Sequence, residues 1–140
     1  MIQFKNVSKV FHGKKIIDDI SFVIEDGEFV VLLGESGCGK TTTLKMINKL
    51  ISPSSGTVEI NGQDISGADP IALRRRMGYV IQQIGLFPHM TVRENIEIIA
   101  KMNNKDRGRL EQNARKLMEM VNLDPDQFLE AYPSEMSGGQ

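Results

Sequence analysis

The 140-residue chain is 40% hydrophobic, enough to furnish the core of one globular unit. Its 17 basic against 18 acidic side chains leave none of the basic surplus that nucleic-acid binders carry. A single cysteine, Cys38, excludes an internal disulfide and fits a reducing compartment. No apolar run approaches the roughly 18 residues of a membrane span, and the first residues lack the charged-then-apolar pattern of a secretory leader, so any membrane link is expected to run through a partner.

In chain order, residues 2–7 and 20–25 read as short strands with partial apolar alternation, the second followed by the turn pair Asp26-Gly27. Residues 29–33 are apolar without alternation, the pattern of a strand covered on both faces. A helix is expected from about Lys40 to Leu50, with Leu44, Ile47 and Ile51 on one stripe, ended by Ser52-Pro53-Ser54-Ser55-Gly56. Residues 57–60 read as a strand entering a tight turn at Asn61-Gly62. Asp69-Pro70 supplies a cap and a first-turn proline for a brief helix through Arg76, and residues 78–81 form another strand candidate. Thr91 and Glu94 have capping-box spacing ahead of a helix through about Met102. Asp106 is placed to cap a further helix whose Leu110, Ala114, Leu117, Met118 and Val121 share one face.

Chemistry concentrates behind the apolar run. Gly34-Glu35-Ser36-Gly37-Cys38-Gly39-Lys40-Thr41 fits the G-x-x-x-x-G-K-[ST] pattern between a predicted strand and a predicted helix. Consecutive backbone N–H groups along such a turn, together with the helix N-terminus, form a concave anion site. Lys40 is expected on the β- and γ-phosphates of a nucleoside triphosphate, and the Thr41 hydroxyl on Mg²⁺. The competing reading is a glycine-rich surface turn before an ordinary helix.

Two further segments narrow the reading to one family. Met136-Ser137-Gly138-Gly139-Gln140 resembles the L-S-G-G-Q signature of ATP-binding cassette proteins, with Met136 in place of Leu, and Tyr79-Val80-Ile81-Gln82 resembles that family's Q-loop. Order and spacing agree along the whole chain. The resemblance implies an α/β fold: a P-loop NTPase core with an antiparallel β region over residues 1–90, and a helical subdomain over 91–140. It also implies that Phe11 stacks on adenine, that residues Gly34 to Thr42 hold the ATP phosphates, and that Gln82 helps hold Mg²⁺ and the attacking water. Ser137, Gly138, Gly139 and Gln140 would face ATP bound by a second copy of the subunit, sandwiching the nucleotide. The plainer alternatives are a core phenylalanine at 11, a solvent-facing strand end at 82 and a capped helix start at 137.

Residues 78–92 and 34–48 are similar to those of bacterial importers for quaternary-amine osmoprotectants such as glycine betaine, carnitine or choline. That resemblance implies membrane permease subunits as partners, a solute-binding protein acting indirectly, and a peripheral position on the cytoplasmic side of the membrane. An importer for another small solute, such as an amino acid, and a non-catalytic nucleotide-binding fragment stand as alternatives. A cassette protein of translation or DNA repair would show duplicated cassettes or coiled-coil insertions, and the signature argues against a small-molecule kinase.

His12 and His89 have no ligand-spaced partners and are expected to be structural, and Arg74-Arg75-Arg76 to be a solvated helix face. The family's apolar strand ending in Asp-Glu and its switch histidine have no counterpart here, so the chain is expected to be a truncated front part, with negligible turnover by itself.

Overall fold

A computed structural model describes residues 1–81, 85–102 and 109–140. Strands β1 (Ile2–Phe11) and β2 (Lys14–Ile24) form an antiparallel hairpin longer than the two short strands expected. His12 and Gly13 both adopt positive φ at its tip, the conformation a two-residue turn needs to match the strands' twist. β3 (Ser55–Ile60) pairs with the other edge of β1, and the short β4 (Gln63–Asp64) returns through Asn61-Gly62, giving the sheet order β2-β1-β3-β4.

Strict alternation fails within β1, where Phe4 and Val7 are both buried although three residues apart. An irregularity between them resets the side-chain phase: Asn6 and Asp19 take positive φ, and Asn6 donates from its backbone to Ser21 Oγ at 2.8 Å and from its amide to Asp19 at 3.0 Å. β3 reaches this bulge through Gly56, where a Cβ would lie 2.2 Å from the Asn6 carbonyl oxygen.

Helix α1 (Lys40–Ile47) buries Met46 and Thr43, and of the expected stripe Ile47 and Ile51 pack against the core while Leu44 stays exposed. The helix stops three residues before the expected end. Lys49 turns left-handed, and the Lys45 and Met46 carbonyls accept from the N–H groups of Lys49, Leu50 and Ile51. Arg74 caps the same end, donating to the carbonyls of Asn48 at 3.0 Å and Lys49 at 2.6 Å. It is therefore a structural clamp on α1 rather than part of a solvated face. Its own helix, α2 (Pro70–Arg74), starts as expected, with Asp69 accepting from Ile71 and Ala72. The core of this part joins Phe4, Val7, Ile17, Met46, Val58 and Ile65.

Two expected strands are absent. The apolar run 29–33 and the segment 78–81 have extended character in sequence only, with Phe29 92%, Leu33 87% and Val80 96% exposed. No described segment pairs with either, and a strand without a ladder neighbour gains neither hydrogen bonds nor cover.

The described residues divide into two compact units, Met1–Gly78 and Tyr79–Gln140. In the second, Thr91 closes the predicted box: Glu94 N donates to Thr91 Oγ1 at 3.2 Å and Thr91 N to Glu94 at 2.9 Å, opening α3 (Val92–Met102). α4 (Leu110–Met120) buries Leu110, Ala114 and Met118 at successive i+4 positions, while Leu117 and Val121 stay exposed, so the apolar face is narrower than expected. The predicted cap Asp106 lies outside the described residues. α5 (Pro125–Phe128) begins at the Asp124 cap, and Leu129 completes a core with Val92, Ala114 and Met118.

Candidate nucleotide site

The loop ahead of α1, the candidate phosphate loop, is built by three glycines at positive φ. Gly34, Gly37 and Gly39 let the chain coil tightly between residue 33 and α1, and Cys38 N donates to Glu35 O at 3.3 Å to close the turn. Gly39 is the residue that seats the loop on the sheet. With φ 102° it precedes the first helical residue, and a Cβ there would come 3.0 Å from Ile17 and 3.2 Å from the Ile16 carbonyl oxygen of β2.

Lys40 folds its ammonium over the loop, donating to the carbonyls of Gly34 and Glu35, each at 2.7 Å, with Cys38 Sγ 3.6 Å away. The positive charge is thereby centred on the coil rather than left to roam on its four-carbon stem. Thr43 N is the first helical donor satisfied, by Gly39 O at 2.8 Å, and Thr43 Oγ1 takes the same carbonyl at 3.1 Å. Gly39 supplies no side-chain cap, so the leading N–H groups of Lys40, Thr41 and Thr42 carry the helix's positive dipole end and are donors suited to an anion. Loop amides, an ammonium and the Thr41 hydroxyl make a donor set for a polyphosphate, and a hard, oxygen-seeking divalent cation fits the hydroxyl and the phosphate oxygens better than any nitrogen or sulfur site.

Phe11 ends β1 beside the hairpin tip, opposite Lys14, and is 38% exposed. It is not a core residue. Ile17, which backs Gly39, lies three residues along β2 from Lys14, so the ring and the loop's last glycine are separated by roughly 10 Å of strand. That is a span suited to a base, a ribose and the first phosphates. The Lys9 ammonium stands 4.8 Å from the centroid of the Phe11 ring, a neighbour that the sequence did not single out.

In the second unit, Ser137 N donates to Gln140 Oε1 at 2.8 Å and Gln140 N to Ser137 O at 3.0 Å, closing a tight turn around Gly138 and Gly139. Neither glycine has positive φ, and a Cβ on either would meet nothing within 4 Å. Gln82 lies outside the described residues. His89 packs edge-on against Phe87, and no group of three metal-ligating side chains occurs among the described residues.

Comparison with known proteins agrees with this geometry. The ABC transporter family model matches residues 17–140. The chain is 53% identical, over its full length, to the osmoprotectant import ATP-binding protein OsmV of Salmonella typhimurium, covering 38% of that protein. It is 50% identical to the carnitine transport ATP-binding protein OpuCA of Listeria monocytogenes, covering 35%, and 48% identical to the choline transport ATP-binding protein OpuBA of Bacillus subtilis, covering 37%. The chain thus spans well under half the length of these curated relatives. A dimeric ATP-binding cassette in a post-hydrolysis state, bound to ADP and Pi, superposes with a TM-score of 0.87 at 29% identity, over all of this chain and 65% of the other. With a loop built on glycines, a centred lysine and a family model covering residues 17–140, this chain belongs to the ABC transporter family.

Proposed function

We propose that the chain is the nucleotide-binding front part of the energy-coupling subunit of an ABC importer, one that drives uptake of a quaternary-amine osmoprotectant such as glycine betaine, carnitine or choline. The observation that carries the reading is Lys40, held by two loop carbonyls over a coil whose amides and helix N-terminus favour a triphosphate. Residues 1–90 act as the P-loop core with its antiparallel region and 91–140 as the helical subdomain.

Within this reading, Gly34, Glu35, Ser36, Gly37, Cys38, Gly39, Lys40, Thr41 and Thr42 wrap the phosphates of ATP, the backbone amides taking the oxygens and the ammonium moving from its carbonyls to the β- and γ-phosphates. Phe11 stacks on the adenine with the face of its ring. Thr41 and Gln82 would hold Mg²⁺, which when bound would neutralise charge on the phosphate oxygens. Gln82 also orients the attacking water. Ser137, Gly138, Gly139 and Gln140 approach the nucleotide of a second copy. Two glycines that neither the backbone nor local packing requires support a close approach by something outside their own unit.

Permease subunits are the membrane partners, with a solute-binding protein acting through them, and the subunit sits peripherally on the cytoplasmic side. No helix among the described residues is long and apolar enough to cross a membrane. An apolar groove lined by Leu86, Ile96, Leu117, Val121 and Met136 offers the helical subdomain a surface for such a partner. The solute class rests on the relatives: those for osmoprotectant, carnitine and choline transport are 48–53% identical, while a glycine betaine uptake protein of Escherichia coli and a spermidine/putrescine import protein of Chromobacterium violaceum are each 43% identical.

Lys40→Ala in the full-length protein tests the site. Binding of ATP is expected to weaken by more than about tenfold and phosphate release to fall to background. Unchanged ATP affinity in a folded variant would overturn the reading. Uptake of labelled choline, carnitine and glycine betaine by cells carrying the intact operon tests the solute, and uptake of putrescine instead would reassign it.

A further inference from the structure

We propose that Lys9 is a positioning residue for base recognition, holding the Phe11 ring so that only one of its faces is offered to the nucleotide. The proposal rests on the reading of Phe11 as the adenine platform and adds to it the device that sets the platform's orientation.

Lys9 and Phe11 are two apart on β1, and although the strand's register shifts between Lys9 and Val10, the lysine side chain reaches over the Phe11 ring. The lysine's ammonium is fixed at two points: it donates to the Ser52 carbonyl at 2.6 Å and stands over the Phe11 ring at 4.8 Å from the centroid. Ser52 belongs to the segment that leaves α1, the helix whose other end carries the phosphate loop. Two more bonds tie the same stretches together, Val10 N to Ser54 Oγ at 3.0 Å and Ser54 N to Ser8 O at 2.8 Å. Lys9 therefore couples the aromatic side chain at the hairpin end to a segment already anchored beside the nucleotide-binding helix.

Two physical consequences follow. A half-exposed phenylalanine at the end of a strand has free rotamers to lose on stacking, and an ammonium pinning one face removes part of that loss beforehand. The faces of two stacked π systems are both electron-rich and repel when superposed. A cation on the far side of one ring draws its charge away from the stacking face and eases that repulsion. Both effects act on the base and neither acts on the phosphates.

That separation supplies the test. Dissociation constants for ATP and for inorganic tripolyphosphate, each with Mg²⁺, are to be measured on full-length protein carrying Lys9→Met, Lys9→Arg, Phe11→Ala and the Lys9→Met/Phe11→Ala pair, with thermal melts confirming folding. Lys9→Met is expected to weaken ATP about threefold and leave tripolyphosphate unchanged, with Lys9→Arg restoring ATP affinity. In the Phe11→Ala background the methionine should have no further effect. If Phe11→Ala weakens ATP while Lys9→Met does not, the proposal fails and the adenine platform stands. If Phe11→Ala leaves ATP binding intact, the platform itself is wrong and the proposal falls with it. Equal weakening of ATP and tripolyphosphate by Lys9→Met, or an effect that persists without the ring, would show a general structural role and overturn the proposal.

Discussion

The two units bury their cores by different rules. In Met1–Gly78 the core side chains Phe4, Val7, Ile17, Met46, Val58 and Ile65 come from across the first 65 residues, brought together by strand pairing and a bulge. In Tyr79–Gln140, the buried Leu110, Ala114 and Met118 repeat at i+4 along one helix, and Ala114 and Met118 meet Val92 and Leu129 at helix boundaries. The first core depends on register between distant segments, so a local error at one position propagates through a sheet. The second depends on helical period and caps, each of which acts within a few residues.

The largest effect is expected where register and packing coincide. Phe4 is fully buried and stacked on Phe22 with centroids 4.5 Å apart, so Phe4→Ala should cost about 3–5 kcal/mol, read as a fall in the urea midpoint of the full-length protein. A loss below about 1 kcal/mol would mean that the sheet repacks freely and that the contrast between the units is false. Next in size is Gly56→Ala. The added Cβ would strike the Asn6 carbonyl at a φ of 79°, so β3 must withdraw from the bulge, at a cost of about 2 kcal/mol. Removal of the bulge strain at Asn6 by Asn6→Gly in the same chain should recover part of it, because a glycine at φ 48° lets the two backbones adjust. No recovery would place the strain in β3 alone.

These two sites mark what the sequence left hidden. The paired turns and caps were legible because each is a short pattern with its own mechanism: Asn61-Gly62, Asp69-Pro70 and the Thr91/Glu94 box all form as their residues demand. The glycine turn ahead of α1 was legible for the same reason. The β1 bulge was not, since positive φ at Asn6 and Asp19 has no strong local signal and its effect, Phe4 and Val7 on one side, contradicts period 2. The helix end at Lys49 was missed because a lysine in the left-handed region is stabilised from afar, its carbonyl and that of Asn48 taken by Arg74. The run 29–33 misled in the opposite sense: its composition asks for a covered strand, and composition says nothing about which segment provides the cover. Lys9 went unnoticed beside Phe11 because an alternating lysine on a strand is ordinarily a solvated side chain.

Within the helical unit the matching perturbation is smaller. Thr91→Ala removes one side of a reciprocal pair and leaves the Glu94 N–H without its partner, a loss of about 1 kcal/mol. Thr91→Ser should restore most of it, since serine offers the same acceptor, whereas Thr91→Val, which keeps the shape and drops the hydroxyl, should not. Equal stability of the serine and valine variants would remove capping from the account of α3 and weaken the claim that this unit is locally specified.

The smallest effect concerns Asp64, at the end of β4, where local and long-range rules meet. Its carboxylate accepts from Ser66 N at 2.8 Å and Ser66 Oγ at 2.9 Å, and these bonds, with the nearby Lys49 charge, hold its pKa below the ordinary aspartate value. A lowered folded-state pKa means that the fold favours the ionised form. The contribution is therefore fully present above the pKa of the unfolded chain and is lost as pH falls through the lower, folded value. Asp64→Asn keeps an acceptor for Ser66 and removes the titration. Stability measured from about pH 6 down to about pH 3 should then fall less steeply in the variant than in the parent, the difference appearing only below about pH 4.5. Because the carboxylate is exposed, water competes for both bonds and the change in slope should be the slightest of the four. Parallel curves would show that the turn after β4 keeps its shape without the charge, and that this corner of the sheet is held by the Ile65 N to Val58 O bond at 3.1 Å and by the burial of Ile65 alone.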